Sequence, residues 1–385
     1  MTIFEFATAD RIVFGRGAIT QVGQLARAYG KRAQVVNSGS ADRAQPVYAA
    51  LEGSGIAYTA FSVTHEPTID IAKHAIAQAH ELGAQLVIGF GGGAAIDLGK
   101  AVAALATNPG DPLDYLEVIG RGKPLQHDPL PYIAVPTTAG TGAEVTRNAV
   151  LASTEHRVKV SLRSPKMLPR VALIDPELTV SLPPDVTAST GMDALTQCIE
   201  PFVSPAANVM TDTFCRDGIR RAARALQRAY RDGADIDARE DMSAAALMGG
   251  LALANAKLGA VHGFAAPIGG MFDAPHGAVC AVLLAPVMRA NLRALRERTP
   301  GHPSLERYIE IARLVTGTGG ATADDGVQWV QALARDLNVP GLSAYGIGLD
   351  TLPEIAEKAA QASSMKGNPV VLTLDELVGI LEEAL

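Results

Sequence analysis

The chain changes character once, at Leu182-Pro183-Pro184, and that change limits the folds open to it. Before it, short β-branched runs at 33–37, 57–63, 85–90, 132–136 and 171–174 alternate with helical patterns at 19–29, 46–52, 69–82 and 95–106. Residues 12–14 offer a further strand. Such alternation predicts a parallel sheet covered on both faces. After the prolines, strand signals all but vanish. Helical patterns follow one another at 186–203, 209–229, 239–257, 277–295, 305–316, 323–337, 351–362 and 374–384. Thr373 and Glu376 have the spacing of a capping box for the last of these. The reading is an α/β domain over 1–183, followed by an all-α domain over 184–385.

At 385 residues the chain is long enough for two or three full cores. A composition 48% hydrophobic and 19% charged fits a globular enzyme. The net charge of −7, the 5% aromatic content and the lack of a Lys/Arg stripe argue against nucleic acid as a partner. The apolar run at 278–288 is too short to span a bilayer, and the first residues lack the basic start of a signal peptide. Cys198, Cys215 and Cys280 form no CxxC pair and are odd in number. A disulfide framework is therefore not expected, and a cytoplasmic protein is.

The run Leu86-Val-Ile-Gly-Phe-Gly-Gly-Gly-Ala-Ala-Ile-Asp-Leu-Gly-Lys100 reads strand, turn, helix. Gly91, Gly92 and Gly93 would let backbone N–H groups approach a phosphate at a helix start, with Asp97 in the first turn. The bland reading is a tight turn that packs without a ligand. The turn comes late, after other βα units, so the fold is Rossmann-like with a non-standard order. A second loop, Val135-Pro-Thr-Thr-Ala-Gly-Thr-Gly-Ala-Glu-Val-Thr146, brings hydroxyls, among them Thr137, Thr138 and Thr141, to a strand end. They suit pyrophosphate or ribose, or else local bonds to their own backbone. The first full strand ends in Asn37-Ser38-Gly39-Ser40, with Arg43 nearby and no acid to bind a ribose 2′-OH. That tilts the cofactor from NAD toward NADP, and both remain open.

Asp193 and Gln197 stand four residues apart on one helix face, and His262 and His276 lie farther on among Gly, Ala and Pro. Two imidazoles and a carboxylate make a common site for a catalytic divalent metal with open positions. His65, His74, His80, His127, His156 and His302 have no such setting and read as structural or exposed. With the glycine turn, the set points to a metal-dependent, nicotinamide-using alcohol dehydrogenase.

These residues resemble the iron-containing (group III) alcohol dehydrogenases. The likeness runs through Phe14-Gly15, the glycine turn with Asp97 and Lys100, and Pro136 to Gly142. It continues through Asp175-Pro176, Gly191 to Leu195, Gly259 to His262, Pro275 to Gly277, and Asn368-Pro369. It implies an active site in the cleft between the two domains, a small alcohol or aldehyde as substrate, and a homodimer or larger homo-oligomer. Asp193, His262 and His276 would fix the ion while hydride passes between substrate and nicotinamide. Two positions depart from the family. Gln197 stands where a further metal imidazole is usual. As a harder, weaker donor it would move preference from zinc toward iron first, then manganese or magnesium, or it leaves three ligands and water. Ala266 replaces a proton-relay histidine, leaving water, ribose hydroxyls or Asp273. Two alternatives are a metal-free reductase resembling maleylacetate reductase and a non-catalytic nucleotide-binding protein.

Overall fold

The computed structural model of this chain describes residues 3–39, 41–156 and 158–385. Ser40, read above as part of the cofactor site, lies outside them. The chain divides into two compact units. One comprises Ala7–Thr138 and Gly142–Thr179. The other comprises Val180–Leu385, together with Ala139–Thr141 and the N-terminal residues up to Phe6.

The first unit carries β1 (Ile12–Phe14), α1 (Val22–Arg27), β2 (Arg32–Ser38), α2 (Gln45–Gly53), β3 (Ala57–Val63) and α3 (Ile69–Leu82). They are followed by β4 (Leu86–Gly91), α4 (Gly93–Leu105), β5 (Tyr132–Pro136), β6 (Asn148–Ser153), β7 (Val158–Arg163) and β8 (Val171–Ile174). Six strands form one sheet in the order β1-β8-β5-β4-β2-β3, and every pair in it is parallel. Alternation along the strands decides which helices cover which face. Val35, Ile88, Ile133 and Val135 pack with α1 and α2. Their neighbours Val36, Val87 and Ala134 pack with α3 and α4. Side chains of successive strand residues point to opposite faces, so a sheet covered on both sides reads as continuous apolar runs.

The order also explains the late glycine turn. From β2 the chain moves to β3 on one side, then crosses back so that β4 pairs with the other side of β2. This reversal is a topological switch point, and open α/β sheets bind ligands beyond the strand ends there. The strands that flank it end at Ser38 and Gly91.

The sequence reading left 148–163 unassigned, and β6 and β7 there form an antiparallel pair. The pair depends on α4, because Asp97 Oδ2 accepts a hydrogen bond from the Val150 N–H at 3.1 Å. Lys100 Nζ donates to the Asn148 carbonyl at 2.6 Å and to Thr146 Oγ1 at 2.9 Å. Buried charges fix this corner. Burial lowers the Lys100 pKa and raises that of Asp97.

The second unit is helical: α5 (Pro184–Val203), α6 (Val209–Arg231), α7 (Ile236–Asn255), α8 (Ala260–Met271), α9 (His276–Arg298), α10 (Pro303–Thr316), α11 (Ala323–Asp336), α12 (Leu352–Gln361) and α13 (Leu374–Glu383). Thr373 and Glu376 form the expected capping box. Helix α8 was not anticipated, since glycine and proline are poor helix residues. Its Val261, His262, Phe264 and Ile268 are buried, so packing outweighs local preference. Helix α9 is long and apolar enough to cross a bilayer by length and composition, but 83% of its most apolar window is buried in the fold.

Glu144, 3% exposed, is pushed up from 4.5 to about 7 by burial, with Lys100 pulling weakly the other way. Between those values the folded chain holds a proton that the unfolded chain has lost, so stability falls as pH rises through that window. The loss is on the order of 3 kcal/mol when complete. Glu144→Gln should therefore leave the urea midpoint at pH 4 nearly unchanged and raise it at pH 8. An equal shift at both values would contradict this account.

Candidate metal centre and nucleotide turn

The metal candidates meet inside the helical unit. Asp193 lies mid-way along α5 and is 1% exposed. His262 is the third residue of α8, and His276 opens α9. Their Nε2 atoms lie 3.3 Å and 3.8 Å from the same carboxylate oxygen, Asp193 Oδ1. That oxygen is buried and accepts no hydrogen bond. A buried carboxylate oxygen that faces two imidazole nitrogens without a well-formed hydrogen bond suits a cation held among these atoms. The donor set therefore fits a divalent metal.

Local sequence explains how the helices come so close. Gly277 is needed because a Cβ there would meet the Ser189 carbonyl oxygen on α5 at 2.5 Å. Gly259, before α8, offers no side-chain cap. Glu200 and Asn368 cap that helix from a distance, accepting hydrogen bonds from the Val261 and Ala260 N–H groups at 2.7 Å and 3.2 Å. The second Glu200 oxygen, Oε2, lies 2.6 Å from His262 Nδ1. The carboxylate holds Nδ1 as the protonated nitrogen and leaves Nε2 facing Asp193.

Burial acts against charge on His262, but Cys280, Asp193 and Glu200 together hold its pKa well above the ordinary value. His276 is pushed up to about 9, first by Cys280 and then, against burial, by Asp193. Burial tends to raise Asp193, yet His262 and His276 carry it below the usual range.

Gln197 sits beside the cluster with its amide nitrogen turned inward. Nε2 donates to the Gly140 carbonyl at 3.0 Å and to Asp193 Oδ2 at 3.3 Å. Two acceptors select the NH2 end of the amide. The bond goes to the carboxylate oxygen opposite the one the imidazoles approach. Ala266 is on α8 and exposed, as is Asp273 in the turn before α9.

Two members of the cluster were missed by sequence reasoning. Cys280 lies four residues after His276 on α9, with Sγ 3.7 Å from His276 Nε2 and 3.9 Å from His262 Nε2. The i, i+4 spacing with His276 is a signal legible in the sequence. Glu200 carried no such signal, since its partner is sixty-two positions away.

In the α/β unit the nucleotide candidates gather at the switch point. Ser38 Oγ accepts a hydrogen bond from the Gly92 N–H at 3.2 Å. Gly91 has φ +151°, and a Cβ there would strike Ser38 and Ala95. The Thr137 N–H donates to the Gly91 carbonyl at 2.9 Å. Thr138 lies against Gly92, and no side chain caps α4. Thr141 instead groups with the helical unit. Asp97 is engaged by Val150 and lies 3.6 Å from Lys100.

Residues 9–176 match the family model for iron-containing alcohol dehydrogenase, and residues 187–385 match that for the Fe-containing alcohol dehydrogenase family, C-terminal. The chain belongs to the iron-containing alcohol dehydrogenase family. It is 34% identical to alcohol dehydrogenase 4 of Saccharomyces cerevisiae strain YJM789, over 96% of each chain. Its fold is similar to a solved 1,3-propanediol oxidoreductase, with a TM-score of 0.93 and 32% identity over the whole of both chains. A sulfoacetaldehyde reductase from Bifidobacterium kashiwanohense, solved with NAD+, is similar at a TM-score of 0.86 and 27% identity, covering 100% of this chain and 99% of that one. The protein is thus an NAD(P)-linked oxidoreductase acting on CH–OH groups. The metal-free alternative is not favoured, because the cluster that could hold an ion is intact.

Glu200→Gln should weaken divalent-metal binding by about 10- to 100-fold, as loss of a carboxylate behind a metal imidazole does elsewhere. Zinc titration of the chelator-stripped protein measures this. Unchanged affinity would remove Glu200 from the site.

Proposed function

We propose that Asp193, His262 and His276 hold the divalent metal, and that Ser38, Gly91, Gly92, Gly93, Thr137 and Thr138 hold the dinucleotide phosphates. The nucleotide role belongs to residues 1–183, and the metal and substrate role to 184–385. What carries the reading is the approach of both imidazoles to one unsatisfied oxygen of a buried aspartate. Substrates are small alcohols or aldehydes.

A bound divalent ion supplies Lewis-acid polarisation of the substrate oxygen, and the nicotinamide gives or takes the hydride. The protein's own residues prepare that chemistry. Asp193 contributes the negative charge, and Glu200 orients His262. Gln197 steadies the Asp193 carboxylate through Oδ2, which makes it a positioning residue. Ser38 ties the end of β2 to the glycine turn, where backbone N–H groups and the start of α4 favour a phosphate. Thr141 and Asp97 are secondary cofactor candidates. Asp97 already braces β6 and β7.

NADP is the preferred cofactor in this reading. Gly39 has φ +81° and lies against Arg43, whose guanidinium is the cation beside the end of β2. The protein acts in the cytoplasm, in keeping with three free, buried cysteines. It works as a homodimer or larger homo-oligomer. Strand β1 is a sheet edge with Ile12 and Phe14 exposed, a template for pairing with a second copy.

His262→Ala should abolish metal uptake and metal-activated aldehyde reduction while nucleotide binding persists. Full turnover in that variant would defeat the proposal. Arg43→Ala should raise KM for NADPH by about tenfold or more, the scale of one lost charge-assisted contact, and leave KM for NADH unaltered. Steady-state kinetics with both cofactors checks this, and equal effects would return the preference to NAD.

A further inference from the structure

We propose that Cys280 is the fourth protein ligand of the metal, so that the centre is Asp193, His262, His276 and Cys280, with Gln197 outside it. The inference rests on the metal site proposed above and gives it a ligand set of its own. One ligand atom from each of the four residues lies within 4.8 Å of every other. The separations suit a common ion. Around a tetrahedral centre, nitrogen and oxygen donors stand about 3.3 Å apart, and a thiolate sulfur stands about 3.6 Å from a nitrogen. Here His262 Nε2 is 3.3 Å and His276 Nε2 is 3.8 Å from Asp193 Oδ1. The sulfur is 3.7 Å and 3.9 Å from the two nitrogens.

Placement on the helices separates Cys280 from Gln197. His276 and Cys280 share one face of α9, and a carboxylate oxygen of Asp193 lies within 4.8 Å of the ligand atom of each. Gln197 bonds to Oδ2 and to the Gly140 carbonyl, and both bonds need its NH2 group. Reversing the amide would set its oxygen against two acceptors. On binding, the cysteine thiol releases its proton to solvent as the sulfur–metal bond forms. Two anionic donors then balance a divalent charge. The thiolate also restores the preference for zinc that Gln197 would weaken, and keeps iron ahead of magnesium and manganese.

The test uses the full chain stripped of metal and reloaded with cobalt(II) or zinc(II). Cobalt-loaded protein should show a thiolate-to-cobalt charge-transfer band in the near ultraviolet. The band should disappear in Cys280→Ser and Cys280→Ala and persist in Gln197→Ala. Zinc X-ray absorption should show one sulfur at about 2.3 Å. Zinc affinity should fall in Cys280→Ala by more than the roughly 10- to 100-fold that loss of a supporting residue costs, and in Gln197→Ala by no more than that. Far-ultraviolet circular dichroism and the size-conserving serine variant separate ligand loss from misfolding. Cobalt uptake that depends on His262 but gives no charge-transfer band would overturn Cys280 as ligand and leave the metal reading intact. Failure of the unmodified protein to take up either ion would overturn both.

Discussion

A carboxylate sealed inside a helical core governs the second unit. Asp193 sits among residues such as Met192, Ala194 and Leu195 that exclude water. An ionised group in such a place requires partners. Oδ2 receives the Gln197 amide, and Oδ1 faces the two imidazoles, with the Cys280 thiol beside them. The surrounding helices are arranged around that need. Glycine at 277 lets α9 start against α5. Glycine at 259 lets Glu200 and Asn368 reach the exposed N–H groups of α8. One glutamate thus caps a helix and orients an imidazole, so stability and chemistry depend on the same side chain.

The α/β unit is organised around the ends of its parallel strands. Parallel strands gather their carboxyl ends on one side of the sheet, and the reversal between β3 and β4 opens a gap there. Ser38 on one flank accepts a hydrogen bond from the Gly92 N–H on the other. A side chain at 91 would strike Ser38, so packing alone requires glycine there. Lys100, Asp97 and Glu144 are equally part of the motif-bearing stretches, yet their contacts brace the corner near β6 and β7. A motif residue can therefore brace the scaffold.

Gln197 serves one carboxylate oxygen of Asp193, and the two imidazoles approach the other. The amide takes up the oxygen that points away from the imidazoles, and a thiol stands on the side that faces them.

The sequence by itself determined the helix-and-strand alternation, the glycine turn, the capping box at Thr373 and the choice of Asp193, His262 and His276 as candidates. Each is written locally, in side-chain period, in residues that tolerate unusual backbone angles, or in chemistry rare for its surroundings. Tertiary structure alone decided the strand order that puts Ser38 beside Gly92, the helical state of α8, the inward NH2 of Gln197 and the places of Glu200 and Cys280. These depend on contacts between residues tens of positions apart. Local periodicity carries no record of such distances, because the partners become neighbours only when apolar faces from separate elements pack together.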